Sequence, residues 1–278
     1  MKIACVMVIA YISCCIRVAT RPCKYFQLNA PFFDAGEGIF SKIATDRLIP
    51  PAWRLAQCYD DGLRDPQRYP VFVKPEWSQN ARGVYRADNA AELRRIRGKI
   101  RGARARYLLQ EGAVEAGEYE IFFISHHRDP RRRALLTVTE ACNVAESNPV
   151  NSVYNPNTRY REITDSFSAR QLDQLWAMMR RIGSFKIARV SMRADSTDDL
   201  VGGRFHIIEI NLFLPMPINL LDRRHSRAAI FRFIMTAMMR LALATKHRDK
   251  TQPARPVFIK SMLYNRRNGL LNFLRARL

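Results

Sequence analysis

Residues 204–217 read RFHIIEINLFLPMP, and this stretch combines a strand pattern with two oxygen-bearing side chains. Phe205 and Ile207 occupy alternate positions, as side chains on one face of a β-strand do, and Glu209 and Asn211 continue that series. Two prolines then end the strand. A carboxylate and an amide at a strand end suit Mg²⁺, which prefers oxygen ligands. The alternative is that Glu209 pairs with an arginine and Asn211 caps a turn.

The segment KIARVSMR, residues 186–193, predicts a strand that precedes this stretch. A polar loop, ADSTDDLVGG, separates the two strands and favours a hairpin. Arg189, Ser191 and Arg193 share one face of the first strand. We therefore expect an arginine beside the acidic pair, where it could bind a phosphate or an oxyanion; an ordinary cross-strand salt bridge is the alternative.

A second candidate region begins with YPVFVKPEW, residues 69–77, which predicts a short strand. Lys74 lies near its end, and Pro75 keeps the lysine in an extended conformation. The polar loop from Ser78 to Val84 contains Gly83 and could turn backbone N–H groups toward a phosphate. A lysine that ends a strand in solvent is the alternative.

Two further strands are predicted at 107–111, YLLQE, and 119–125, YEIFFIS, joined by GAVEAG. Gln110 and Glu111 end the first strand, where side-chain acceptors could read the edge of an adenine. An exposed loop carboxylate is the alternative for Glu111. Glu118 and Glu120 share a strand face and are candidates for binding a ribose.

Local signals also predict three helices. Asn89 starts a basic helix that runs to about Arg104, and Ser168 starts a second helix that Gly183 ends. A long apolar helix is expected at about Arg227–Ala244, packed on a sheet. Between residues 34 and 53 the pattern indicates a connection with one short helix.

The charge balance favours anionic partners. The formal net charge is +21, from 46 basic and 25 acidic residues, and Asp249 is the only acidic residue between Arg223 and Leu278. Such a field attracts nucleotides, acidic metabolites, nucleic acid or an anionic membrane surface. No arginine-rich stretch carries the interleaved aromatic residues of a base-stacking surface, so nucleic acid is not the expected partner.

The N-terminus carries four of the six cysteines and an apolar run from Lys2 to Ile16. Because the chain has no CxxC pair, a zinc site or disulfide framework is not expected, and a reducing compartment is the default. The run is shorter than the ~20 residues of a comfortable membrane span. A buried or membrane-touching segment is favoured over a cleaved signal, because most of the flanking positive charge follows the run.

The order of these signals is more specific than any one of them. GIFSK, PVFVKP, a polar loop ending in Gly-Val, LLQEGAVEAGEYEI, an ARV strand and IIEIN follow one another. This succession resembles the ATP-grasp superfamily, whose D-alanine:D-alanine ligases and related carboxylate–amine ligases share it. The match covers about Asn29 to Lys246, and PVFVKP and EIN are its most telling parts.

The resemblance implies an α+β fold of ATP-grasp type, in which two α+β subdomains grip a nucleotide and the N-terminal domain is truncated. We expect a hydrophobic N-terminal segment at 1–33 and a first subdomain, the lid, at 34–113. A second subdomain with the metal site would occupy 114–245, and a basic tail would occupy 246–278.

The resemblance also implies roles for individual residues. The phosphates would contact Lys42 and Lys74, and the loop from Ser78 to Val84, with Gly83, would close over them. The adenine would contact Gln110, Glu111 and the backbone near Val114. The ribose would contact Glu120, which is preferred to Glu118. The metal and reaction contacts would come from Glu209 and Asn211, which would hold Mg²⁺, and from Arg189, which would steady the acyl phosphate and tetrahedral intermediates.

The implied activity is an ATP-dependent ligase that forms an acyl phosphate on a small carboxylate substrate and passes it to an amine or a thiol. The basic surface favours acidic substrates, and the expected location is cytoplasmic, with membrane contact through the N-terminal segment. Similar ligases carry an aspartate metal ligand where this chain has Ser191, and a serine hydroxyl is a poor Mg²⁺ ligand. The alternatives are therefore a nucleotide-binding regulatory protein and, as a third reading, a nucleic-acid or membrane binder that uses the basic tail.

Overall fold

Two antiparallel sheets organise the chain, whose computed structural model describes residues 3–78, 81–103, 105–146 and 149–267. The small sheet has the order β1-β4-β2-β3 and the large sheet β7-β6-β5-β8-β9. The strands are β1 Gln57–Tyr59, β2 Val71–Pro75, β3 Tyr85–Ala87, β4 Tyr107–Glu111, β5 Gly117–Ser125, β6 Arg133–Cys142, β7 Arg159–Glu162, β8 Ile187–Ala194 and β9 His206–Asn211. The predicted α+β fold class is confirmed.

Seven α-helices accompany the sheets within the described residues. They are α1 Ile3–Arg17, α2 Lys42–Asp46, α3 Ala90–Ile100, α4 Ala169–Ile182, α5 Thr197–Gly202, α6 Arg227–Lys246 and α7 Val257–Arg267. Helix α2 is the short helix expected in the connection, and α5 lies in the polar loop that was predicted as irregular.

The small sheet packs on α3 through Val71, Val73 and Leu109. Asn89 caps this helix as predicted, because its side-chain oxygen accepts a hydrogen bond of 3.0 Å from the Glu92 N–H. The prediction that the helix runs to about Arg104 is wrong, since it ends at Ile100; Arg104 itself lies outside the described residues.

The large sheet forms the main core on the face that carries Ile121, Val190 and Ile207. Helix α4 packs there through Leu175 and Met179, and the capping box at its start is formed as predicted. Its stripe of apolar side chains spaced three and four apart explains why this helix was visible in the sequence.

The opposite face of the large sheet changes character along its strands. At one end Phe122 and Ile187 are buried beneath α1 and α6, so the N-terminal apolar run is a helix with a buried face. At the other end of the same face the side chains are polar. Within the described residues α6 alone has the length and composition of a membrane span, and 39% of its apolar window is buried.

Strand β9 contains an irregularity, so the regular alternation predicted from Phe205 to Asn211 is not present. Ser191 pairs with Glu209 and Met192 pairs with Ile207, so Ile208 is an extra residue without a partner on β8. The bulge reverses the alternation, which places Ile207 and Ile210 in the core and turns Glu209 to the opposite face. The prediction that Glu209 and Asn211 share a face with Phe205 and Ile207 is therefore wrong.

The segment predicted as a basic tail contributes to the fold as far as residue 267. Val257, at the start of α7, is buried in the main core. The Gln27 amide donates to the Arg255 carbonyl at 2.8 Å, and the Trp77 indole donates to Asn265 at 2.9 Å. An appended tail was thus the wrong description of residues 246–267; residues 268–278 lie outside the described part of the chain.

Candidate functional site

A cleft opens between the two sheets, against the polar end of the large sheet. Its empty volume is about 960 Å³, open solvent included. The predicted site residues that line it are Lys74, Gln110, Glu111, Glu118, Glu120, Arg189, Glu209 and Asn211. The fold therefore brings together side chains from β2, β4, β5, β8 and β9.

Lys42 lies at one end of the cleft, in the first turn of α2. Its ammonium donates to the Ser78 hydroxyl at 3.1 Å and to the Pro75 carbonyl at 3.2 Å, and it is 3.6 Å from a Glu209 carboxylate oxygen. Ser41 caps the helix and fixes its start, so the lysine is aimed across the β2 end. A cation is thereby held beside the carboxylate.

Lys74 is buried at the same end. It donates to the Gln110 side-chain oxygen at 2.9 Å and to the Ile208 carbonyl at 3.2 Å. That carbonyl is free to accept because Ile208 is the bulge residue and does not pair with β8. Burial, together with the charge of Lys42, lowers the pKa of Lys74 to about 7.

The three residues predicted to contact adenine, Gln110, Glu111 and Val114, differ in their exposure and in their position relative to the cleft. Gln110 is buried, and its amide is committed at both ends, to Lys74 and to the Ile208 carbonyl at 3.1 Å. These contacts favour a role in positioning the lysine. Glu111 and Ala113 line the cleft, while the Val114 side chain is 87% exposed outside that lining.

The loop from Ser78 to Val84 follows β2 and contributes Ala81 and Val84 to the cleft wall. Gly83 has a φ of +71°, and a Cβ there would stand 3.0 Å from the Pro75 ring, so a side chain at this position is disfavoured. Residues 79 and 80 of the predicted loop lie outside the described part of the chain.

Three side chains cross the floor of the cleft in one row, because Glu120 pairs with Ser191 and Ser191 pairs with Glu209. The Ser191 hydroxyl donates to Glu120 at 2.9 Å. Burial opposes ionisation of Glu209, but Lys42, Lys74 and Arg189 together keep its pKa below the ordinary value. Glu209 is therefore an ionised carboxylate at neutral pH.

Arg189 and Asn211 form the next row, one position further along the cleft face. The guanidinium is 3.1 Å from a Glu120 oxygen, and the Asn211 amide nitrogen is buried without a hydrogen-bond partner. The predicted placement of an arginine beside Glu209 and Asn211 is confirmed.

The donor set suits a cation that completes its coordination with ligand oxygens. Within the described ranges no group of three His, Cys, Asp or Glu side chains could hold a metal ion alone. The cleft instead offers the Glu209 carboxylate and the side-chain oxygen of Asn211, with Glu120 across Ser191. Mg²⁺ typically takes one or two carboxylates and fills its octahedron with phosphate oxygens and water, so these residues fit it.

Glu118 lies in the row next to Glu120 and Ser191, opposite Arg193. Its carboxylate accepts from the Asn151 amide at 2.9 Å and is 3.7 Å from Arg193. Burial and the neighbouring Glu120 raise the pKa of Glu118 to about 7. The sequence offered both Glu118 and Glu120 as candidates for the ribose. In the structure Glu118 contacts Asn151 and Arg193, whereas Glu120 contacts Ser191 and Arg189.

Two parts of the site were not predicted. The connection before β7, which includes Asn151, and Tyr160 of β7 line the cleft near Glu118, and the Asn-rich composition of the connection was the only signal. Glu76 is also buried; it accepts from the Ser41 hydroxyl at 2.5 Å and from Tyr59 at 2.8 Å, and it pairs with an arginine. This network holds the start of α2, and hence Lys42, against β2.

Comparison with known proteins gives similarities of fold. No protein-family model matches the chain, and no curated protein matches it. The chain is similar to the L-amino acid ligase of Bacillus licheniformis, with 14% identity and a TM-score of 0.46 over 73% of this chain and 47% of the ligase. It therefore spans about half the length of that ligase.

The chain is also similar to the D-alanine–D-alanine ligase of Bacillus anthracis. A structure of that ligase with ATP shows 14% identity and a TM-score of 0.46, covering 74% of this chain and 65% of the ligase. A second structure shows 12% identity and the same TM-score, covering 74% and 67%. At these identities the similarity concerns the fold and not the activity.

Proposed function

We propose that the chain is an ATP-dependent ligase of ATP-grasp type that joins a carboxylate to an amine or a thiol. The observation that carries the proposal is that three cations, Lys42, Lys74 and Arg189, act on the Glu209 carboxylate, which lines the cleft together with Asn211. Cations next to a carboxylate and an amide can bind a polyphosphate together with its divalent ion. A protein that bound only a simple anion would have no use for the Glu209 carboxylate at this position.

The nucleotide would lie along the cleft with its phosphates at the lysine end. Lys42 and Lys74 would contact the phosphates, and the loop from Ser78 to Val84 would cover them. The adenine would lie by Glu111 and the backbone between Ala113 and Val114. The sequence favoured Glu120 for the ribose; here the ribose would instead contact Glu118, beside Asn151, because Glu120 already accepts from Ser191.

The reaction would use charge neutralisation by residues of the cleft. A carboxylate oxygen of the substrate would attack the terminal phosphorus of ATP and displace ADP, and Lys74 and Arg189 would offset the charge of the phosphoryl group. The amine would then attack the acyl carbon and displace phosphate, while Arg189 would donate to the oxyanion. Mg²⁺, held by Glu209 and Asn211, would neutralise phosphate charge when bound. The basic field favours an acidic substrate.

The test is ADP release from the full chain with ATP, Mg²⁺ and pools of amino acids and short peptides. Lys74→Ala and Glu209→Ala should each lower the rate by about 100-fold or more, because the first removes a cation at the phosphates and the second removes a carboxylate that would hold Mg²⁺. Lys99→Ala, on the exposed face of α3, is the matched control and should retain the rate. Equal rates in Lys74→Ala and Lys99→Ala would contradict the proposal.

A nucleotide-binding protein without ligase chemistry is the second candidate, and Ser191 favours it. Its hydroxyl donates to Glu120 and is not a good metal ligand. Under this alternative, ATP binds with Mg²⁺, but no substrate pool produces ADP above the rate of the Glu209→Ala variant. Isothermal titration beside the ADP assay separates the two functions.

A further inference from the structure

Glu120 and Glu209 flank Ser191 on the cleft floor, one from each neighbouring strand. Directly opposed residues of adjacent strands lie about 5 Å apart, so the two glutamates stand on either side of a much shorter side chain. All three residues line the cleft. The short serine therefore leaves space between two carboxylates that both reach the same volume.

The contacts of Glu120 leave one of its carboxylate oxygens without a hydrogen bond. One oxygen accepts from Ser191 at 2.9 Å. The other oxygen is buried and 3.1 Å from the Arg189 nitrogen, yet the two atoms are not aligned for a hydrogen bond. Buried carboxylate oxygens are rarely left without such a bond, so this oxygen is available to a further positive partner.

We propose that Glu120 and Glu209 together hold a divalent cation above Ser191, and that Ser191 positions Glu120 for this task. The proposal rests on the proposed function, because the cation is the one that accompanies the nucleotide. A serine in this row would then remove no carboxylate from the site. The second carboxylate comes from β5, and the hydroxyl fixes its orientation through the 2.9 Å bond.

The competing explanation is an ion pair between Arg189 and Glu120 that only stabilises the fold. That explanation predicts that removal of the Glu120 charge affects unfolding and leaves cation affinity unchanged. It also gives Ser191 no effect on the cation. The two explanations therefore differ in metal binding, which can be measured without any turnover.

The experiment titrates the full chain with Mn²⁺ in the presence of a non-hydrolysable ATP analogue and measures free Mn²⁺ by electron paramagnetic resonance. We expect Glu120→Gln to weaken Mn²⁺ binding by about 100-fold and Ser191→Ala, which loses only the positioning bond, by about 10-fold. Glu140→Gln, on the adjacent strand β6 and paired with Arg161, is the matched control and should bind as the parent chain does.

A double variant tests the placement directly. Glu120→Gln combined with Ser191→Asp moves the carboxylate one strand across the same row, so Mn²⁺ affinity should return to within about 10-fold of the parent value. Thermal unfolding of each variant shows that the protein is folded. Because the double variant regains a function that Glu120→Gln lost, misfolding cannot imitate this result.

The outcomes separate this proposal from the proposed function. If the parent chain binds no ATP analogue, both the proposed function and the cation proposal are overturned. If the analogue binds to all variants and Glu120→Gln retains the parent Mn²⁺ affinity, the cation proposal alone is overturned. Weakening in Glu120→Gln with recovery in the double variant supports it.

Discussion

Lys74 is a cation that the fold buries before any ligand arrives. Its side chain reaches one amide oxygen and one main-chain carbonyl, neither of which carries a charge. The folded state therefore holds an ammonium that its surroundings only partly compensate, and the pKa of about 7 reflects this imbalance. Arrival of phosphate would relieve it.

This imbalance predicts how stability depends on pH. The pKa of Lys74 is lower in the folded chain than in the unfolded chain, so between pH 7 and about 10.5 the unfolded state binds more protons and stability rises with pH. Lys74→Met has no ammonium at this position, so its stability lacks this dependence on pH. We expect the free energy of unfolding of Lys74→Met to exceed that of the parent most at pH 6, by on the order of 3 kcal/mol, and least near pH 10.

Urea denaturation of both proteins at pH 6, 8 and 9.5 measures the difference. Lys99→Met, at an exposed position of α3, should show the same pH dependence as the parent. A difference between Lys74→Met and parent that stays constant from pH 6 to 9.5 would show that Lys74 titrates as an ordinary lysine.

The sequence predicted those site residues whose chemistry can be recognised from their neighbours along the chain. Lys74 before a proline and Glu209 with Asn211 at a strand end were found in this way. Glu76 was missed because its partners Ser41 and Tyr59 are distant along the chain and meet it only in the fold. Gln110 was found as a cleft residue, although its partners favour holding Lys74.

The bulge at Ile208 is the element that connects strand pairing to the site. It turns Glu209 into the cleft and frees a carbonyl for Lys74 and Gln110. Ile208 has no partner on β8, so its carbonyl is available to both side chains. The bulge therefore gives Lys74 a hydrogen-bond acceptor, whereas it affects Glu209 through the face of the strand on which that side chain lies.

Deletion of Ile208 should separate these two effects. Without it Ile207 and Glu209 would be adjacent and would oppose Met192 and Ser191 in an unbroken ladder, which preserves the core and the cleft face. The carbonyl that receives Lys74 would be lost. We expect a folded protein that binds ATP about 10-fold or more weakly, since a buried charged donor loses a partner.

Circular dichroism and isothermal titration measure the two quantities. Ile208→Val keeps the bulge and its carbonyl, and it should bind ATP within about 3-fold of the parent, because it removes a single methylene. If the deletion and the valine variant bind ATP equally, the Ile208 carbonyl has no role in binding.

Elements with local start signals were predicted well. Helices α3 and α4 begin at the predicted caps because Asn89 and Ser168 bond to their own first turns. The bulge was not predicted, since simple alternation assumes one residue for each partner across the whole strand. Helix α7 was missed because its burial depends on contacts with residues near 27 and 77 rather than on a strong pattern of its own.

For the whole molecule the positive field is the dominant long-range property. The formal net charge is +21, and three cations, Lys42, Lys74 and Arg189, already act on the Glu209 carboxylate in the cleft. Such a field raises the local concentration of anions and falls with ionic strength, because the Debye length shrinks from about 10 Å at 0.1 M to 3 Å at 1 M salt.

We therefore expect ATP affinity to fall by about 10-fold between 0.05 and 0.5 M sodium chloride. Fluorescence or calorimetric titration at four salt concentrations gives the dependence. Adenosine, which carries no phosphate, is the control ligand and should bind with the same affinity throughout. Parallel losses for ATP and adenosine would assign the effect to salt acting on the protein and not to the field.

The division of the large sheet into an apolar and a polar end has one more consequence. Phe122 lies directly opposite Arg189 on β5 and β8, so the charged cleft begins where the packing of α1 and α6 stops. An apolar layer of low permittivity therefore backs the charges on one side and concentrates their field toward the open side. Helices that contain none of the proposed ligands would in this way set the strength with which the cleft acts on an anion.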